Sequence, residues 1–161
     1  MDLGATVALV ARITLAATFG LSAATKLADR PGFARALQEF GLPRSDALSW
    51  ALPGVEGGLA LALVLVRAET WPAFLAVGVL ALFTGAVVAN LISGRPAPCP
   101  CFGPPTAGAR PVSAATVARN GYLVALAVLG TGATDGASVG AAIAAAVVTV
   151  PATLVALRRF G

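Results

Sequence analysis

The sequence predicts an all-α fold, a polytopic transmembrane helical bundle of about five spans, and three observations point to it. First, hydrophobic residues make up 58% of the 161 and charged residues only 11%, with a mean hydropathy of +0.87. Soluble domains carry roughly 25% charged residues, so these charges are too few to cover a water-facing surface, and lipid is the natural exterior. Second, the apolar residues fall in long continuous runs, not in the ten-residue alternations of a membrane β-barrel. Third, alanine and glycine dominate those runs, which suits close helix contact in lipid. The length fits one domain. The net charge of +4 is spread between apolar runs, and this scatter does not make a nucleic-acid surface. The expected partner is membrane lipid.

A span needs about 20 apolar residues. The first runs from about residue 3 to 27, with Arg12 in its first half. No basic n-region precedes it, so it reads as a retained span and not a secretory signal. The second covers about 46–66 with Glu56 near its middle, and the third about 70–93 with no ionisable residue. The fourth covers about 113–130 and contains Arg119, and the fifth covers about 136–157. Ser45 or Asp46, Thr70 and Ser113 are placed to N-cap the spans they precede. Pro72 falls in a first turn, where a missing N–H costs nothing. Pro53 and Pro151 lie inside spans and are expected to kink them. Trp50 and Trp71 stand near span ends, as an aromatic belt predicts.

Between the first two spans, Asp29 can cap, Pro31 can open and Gly41 can close a short helix. Phe33, Leu37 and Phe40 share one face, with Arg35, Gln38 and Glu39 away from it. This reads as an interfacial helix on the membrane surface, and a loop helix packed on the bundle is the alternative. Gly54 with Gly58, and Gly136 with Gly140, have the small-residue spacing of helix contacts.

The 94–112 loop carries the chemistry. It contains Cys99-Pro100-Cys101-Phe102-Gly103, with the chain's two cysteines, and the chain has no histidine. That removes histidine-based nucleophile triads and a four-ligand zinc site within one chain. A structural bridge stabilises by closing a long loop, and a bridge between Cys99 and Cys101 closes almost nothing. Two inert thiols fit poorly in a proline-rich surface loop. A Cu(I) site would lack supporting methionines. A redox dithiol is the leading reading, with metal-binding and inert or structural pairs as alternatives. Pro98 and Pro100 fix φ and remove N–H donors, which stiffens the loop and keeps both sulfurs presented. Arg95, Arg110 and Arg119 are the cations that could lower a thiol pKa.

With these residues in view, the chain resembles the MauE family of methylamine-utilisation membrane proteins, within the broader DoxX-like group. The resemblance runs through Lys26-Leu27-Ala28-Asp29, Phe33 to Pro43, Leu52-Pro53 with Glu56, and Phe83 with Asn90-Leu91. Its distinctive part is Cys99-Pro100-Cys101-Phe102-Gly103 followed by Arg119-Asn120. It implies thiol–disulfide exchange with thioredoxin-like partners, drawing on membrane quinone, in the cell membrane. Cys99 and Cys101 are then the catalytic candidates, supported by Lys26, Glu56, Asn90, Phe102, Gly103, Arg119 and Asn120.

Glu56 and Arg119 fall inside spans, where charges are paired or face a cavity. Glu56 is expected to pair with Lys26 or Arg119 beneath the loop, with Asn90 and Asn120 completing the network. The pair is either a proton relay or an architectural tie. Five spans put Lys26, Arg30, Arg35, Arg44, Arg95, Arg110, Arg158 and Arg159 on one side with the cysteines, against Arg12 and Arg67 on the other. The positive-inside rule makes that side cytoplasmic, whereas the family's association with exported proteins points outward, and both stay open. Two other functions compete with the redox reading: a non-catalytic membrane anchor for a thioredoxin-like protein, and a small-molecule or metal carrier with Glu56 and Arg119 lining its cavity.

Overall fold

The computed structural model describes residues 3–66, 69–94 and 114–132. The cysteine loop and the expected fifth span, 136–157, lie outside the described residues, as do Gly136, Gly140 and Pro151.

The described chain forms five helices: α1 (Leu3–Ala28), α2 (Arg30–Glu39), α3 (Ser45–Leu65), α4 (Trp71–Ile92) and α5 (Ala114–Leu129). Each agrees with a sequence-derived boundary to within about a residue, the usual scatter at helix ends. Among the described residues α1, α3 and α4 are long and apolar enough to cross a membrane. Helix α5 has 16 residues, about 24 Å at helical rise, and is shorter than a hydrocarbon core by itself.

Leu15 and Phe19 of α1, Leu59 and Leu63 of α3, Ala76 and Leu80 of α4, and Leu123 and Ala127 of α5 bury one core. Outside it the surface stays apolar: Leu21, Leu61, Leu65, Phe74, Leu82 and Tyr122 are exposed. The buried set includes Arg12, Lys26, Glu56, Asn90 and Asn120. Charge inside and hydrocarbon outside is the order expected in lipid. The outward hydroxyls obey the same solvent. Thr14 donates to Val10 O at 2.8 Å and Thr18 to Thr14 O at 2.8 Å, within their own helix, so neither needs water.

Helices α1 and α3 run antiparallel at close range. A Cβ placed on Gly20 would stand 3.8 Å from that of Ala60, and one on Gly57 would stand 3.8 Å from that of Ala23. The small-residue contacts are therefore Gly20 with Ala60 and Gly57 with Ala23. Among the described residues nothing lies within 4 Å of a Cβ on Gly54 or Gly58, so the described helices make no contact through the expected Gly54–Gly58 face.

Helix α2 is built as its sequence reads. Asp29 accepts from Gly32 N at 3.0 Å, Pro31 sits in the first turn, and Gly41 takes φ +81° just past the end. Phe33 and Leu37 are buried while Arg35, Gln38 and Glu39 are exposed. That apolar face lies on the bundle, so the packed alternative describes α2 better than a helix with its apolar face in lipid. Arg30 Nη1 donates to Ser49 Oγ at 3.2 Å, and Gln38 Nε2 to Ser45 Oγ at 2.9 Å, tying α2 to α3.

The caps at α3 and α4 differ from expectation. Arg44 occupies the N-cap of α3 in the left-handed region, φ +54°, without a side-chain cap bond. Ser45 is already helical, and its hydroxyl accepts from Gln38, so packing of α2 takes the group that was expected to cap. Thr70 holds the N-cap position of α4 with no side-chain cap bond. Ser113 lies outside the described residues.

Candidate functional site

Lys26, two residues before the end of α1, reaches into the bundle and pairs with Glu56 Oε1 of α3. The antiparallel register makes this meeting possible. Arg12 faces Val66, Gly20 faces Ala60 and Ala23 faces Gly57, so the next inward position of α1 falls beside Glu56.

Two aromatic rings complete the ammonium's surroundings. Lys26 Nζ lies 5.3 Å from the ring centroid of Phe33 in α2 and 5.3 Å from that of Phe83 in α4. Both are within cation–π range. Lys26 therefore touches four helices through one atom: its own α1, α2 and α4 through rings, and α3 through charge.

The next residue of α4 begins a second polar contact. Thr84 Oγ1 donates to Leu80 O at 2.7 Å and accepts from Asn120 Nδ2 of α5 at 3.2 Å. Its single proton is used on Leu80, so Thr84 receives a donor from Asn120, which fixes the amide with Oδ1 turned away. Asn90 lies seven residues after Phe83, on the same face of α4 and about 10 Å nearer the helix end. Asn90 and Asn120 are both buried. Among the described residues Glu56 Oε2, Asn90 Oδ1 and Asn120 Oδ1 have no hydrogen-bond partner.

Of the residues singled out in the sequence, Lys26 and Glu56 are brought together. Asn90 and Asn120 are buried toward the same end, but Asn120 joins Thr84 and not the ion pair. Arg119 is exposed on α5, and the partner of Glu56 is Lys26. The expectation of a buried Arg119 fails because α5 turns the adjacent Asn120 inward, about 100° away. Cys99, Cys101, Phe102 and Gly103 lie outside the described residues. Their loop joins the end of α4 to the start of α5, antiparallel neighbours in which Thr84 meets Asn120 and Val87 packs with Val117. The end of α4 and the start of α5, which flank this segment in sequence, therefore lie at the end of the bundle toward which Asn90 is placed. Among the described residues no cluster of three or more metal-ligating side chains occurs.

A family model described as methylamine utilisation protein MauE matches residues 4–133. The chain belongs to the MauE family. The matched range takes in the five described helices, apart from Leu3 of α1, so the MauE match covers the ion pair and also the cysteine-bearing segment of the sequence. No curated protein and no solved structure matches the chain.

Two parts of this site are not legible in the sequence: Thr84 as the partner of Asn120, and the convergence of the Phe33 and Phe83 rings on Lys26. Hydrophobic spacing could have placed Phe83 and Asn90 on one face of α4, seven residues apart. Which helix that face meets depends on packing register, which a single span does not carry.

Proposed function

We propose that this MauE-family protein is a multi-pass membrane thiol–disulfide oxidoreductase or electron carrier whose Cys99–Cys101 pair exchanges with a thioredoxin-like partner. The observation that carries the reading is the Cys99-Pro100-Cys101-Phe102-Gly103 segment in the connection between α4 and α5. Those helices carry buried amides toward the loop end. Supporting it are the poor value of so short a bridge as a staple and the stiffening effect of Pro98 and Pro100. The family description points to methylamine utilisation as the process served.

The exchange is balanced within two proteins. One thiolate attacks the partner's disulfide, forming a mixed disulfide and releasing one partner thiol. The second thiolate then attacks its neighbour's sulfur, closing Cys99–Cys101 and releasing the second partner thiol. Two electrons pass to the partner, and the reverse sequence returns them. After the forward exchange a second dithiol protein reduces Cys99–Cys101 and becomes a disulfide itself; after the reverse exchange a membrane quinone reoxidises the dithiol and is reduced to quinol. The five-span arrangement, with the 136–157 segment as the last span in the cell membrane, belongs to the same proposal.

The test is disulfide trapping in intact cells. Cys99→Ser or Cys101→Ser is expected to accumulate a mixed disulfide with a partner, the surviving sulfur being the attacking one. An impermeant thiol reagent, used before and after reduction, reports the side and the redox state of the pair. Thiols that stay reduced under oxidising conditions, with no trapped partner, would leave an anchor or carrier role in its place.

A further inference from the structure

We propose that Glu56 is a reversible proton-binding site inside the bundle, reached from the cysteine-loop end past Asn90 and Asn120.

The first support is the carboxyl itself. Glu56 is fully buried, and its Oε2 has no hydrogen-bond partner among the described residues. A buried acceptor with no donor is disfavoured, and a proton or a water satisfies it. The second support is Lys26. Its ammonium holds two aromatic faces, Phe33 and Phe83, besides the carboxylate. When Glu56 is neutralised, the cation keeps favourable neighbours, so the pair can change charge without losing its place. The third is placement. Asn90 Oδ1 and Asn120 Oδ1 are the other two buried acceptors without partners among the described residues. Asn120 meets α4 at Thr84, beside the Phe83 that touches Lys26, and Asn90 lies two turns nearer the loop. The open acceptors are therefore spread between the ion pair and the loop end, whereas Leu15, Phe19, Leu63 and Leu80 fill the other direction.

Lys26 is the charged group facing Glu56. Arg12 of α1 is held at the opposite end by Val66 and Glu69. In α2, Asp29 is bound to Gly32 N and Arg30 to Ser49. Asp46 is exposed at the start of α3, α4 has no ionisable residue, and Arg119 of α5 is exposed.

The use of the site rests on the thiol-exchange reading above. When a thiol attacks, its S–H bond breaks as the new S–S bond forms, and the partner's departing sulfur takes up a proton in turn. The exchange consumes no net proton, so what it needs is a group that holds one between steps.

Infrared difference spectra of the full chain in lipid nanodiscs, between alkaline and acidic buffer, test the site without any thiol chemistry. The expected result is a protonated-carboxyl band of a buried acid that is lost in Glu56→Gln and displaced in Glu56→Asp. Its shift in deuterated buffer is expected to slow in an Asn90→Leu, Asn120→Leu variant. No such band, or one that survives Glu56→Gln, overturns the proposal, as does an unchanged deuterium response in the double variant. If Glu56→Gln fails to fold, the Glu56→Asp displacement makes the assignment. The same spectra of a Cys99→Ser, Cys101→Ser variant are expected to keep the band. The spectra thus judge the proton site alone, and disulfide trapping judges the redox reading alone.

Discussion

Lys26 of α1 and Glu56 of α3 are ion-paired with side chains 1% and 0% exposed. Neither charge reaches water, so each depends on the other and on the polar and aromatic atoms around them. Removing one partner of a buried pair leaves an uncompensated charge, which typically costs about 3–5 kcal/mol, whereas replacing both with apolar residues is often neutral. Lys26→Met is therefore expected to destabilise by about that amount, and Lys26→Met with Glu56→Leu to recover most of it. Denaturant unfolding in detergent micelles measures both. A double variant as unstable as the two single losses added together would show that the pair is not coupled.

The α1–α3 contact rests on two glycines, and the available space sets the outcome of filling it. A Cβ on Gly57 meets that of Ala23 at 3.8 Å, an ordinary van der Waals distance. Gly57→Ala is expected to fold and to gain up to about 1 kcal/mol of helix propensity. Gly57→Leu has no room between the helices and is expected to cost about 1–3 kcal/mol through overpacking. Thermal unfolding of the two variants side by side checks the sign as well as the size. Equal melting temperatures would mean the helices are not in close contact there.

The start of α2 makes a tighter demand. A Cβ on Gly32 would stand 2.2 Å from Asp29 Oδ2, so the capping carboxylate must move and its bond to Gly32 N is lost. Gly32→Ala and Asp29→Ala are each expected to cost about 1 kcal/mol, the usual value of an N-cap. Because both remove the same bond, the double variant is expected to cost little more than either single one. Hydrogen exchange across 30–39 follows the helix directly. Additive losses would separate the glycine from the cap.

Much of the fold was legible because it depends on local rules. Apolar runs of membrane length located α1, α3, α4 and α5, and Asp29, Pro31 and Gly41 framed α2 by turn chemistry. The Lys26–Glu56 pair was legible as one of two choices, since a charge in a span needs a partner. The choice between Lys26 and Arg119 was not, because it depends on the rotation of α5, and an apolar helix carries little amphipathic signal to set it. The same limit hid the true small-residue contact. Gly54 and Gly58 have the familiar spacing, but Gly57 is the residue that the packing of α1 selects.

Arg12 shows the same dependence at the far end of the bundle. Its Nη2 donates to Val66 O and Glu69 O, both at 2.8 Å, so one guanidinium ties α1 to the turn between α3 and α4. Val66 is the C-cap of α3, where carbonyls lack helical donors and a cation is favoured by the helix dipole. Arg12→Met is expected to remove both charge-assisted bonds to these partly exposed carbonyls, at about 1.5–3 kcal/mol. Arg12→Lys keeps the charge but loses the planar fork, so it is expected to restore only part of the stability. Unfolding in micelles, combined with proteolysis in the 66–70 turn, checks this. Full recovery by lysine would reduce the contact to charge, whereas partial recovery assigns the remainder to guanidinium geometry.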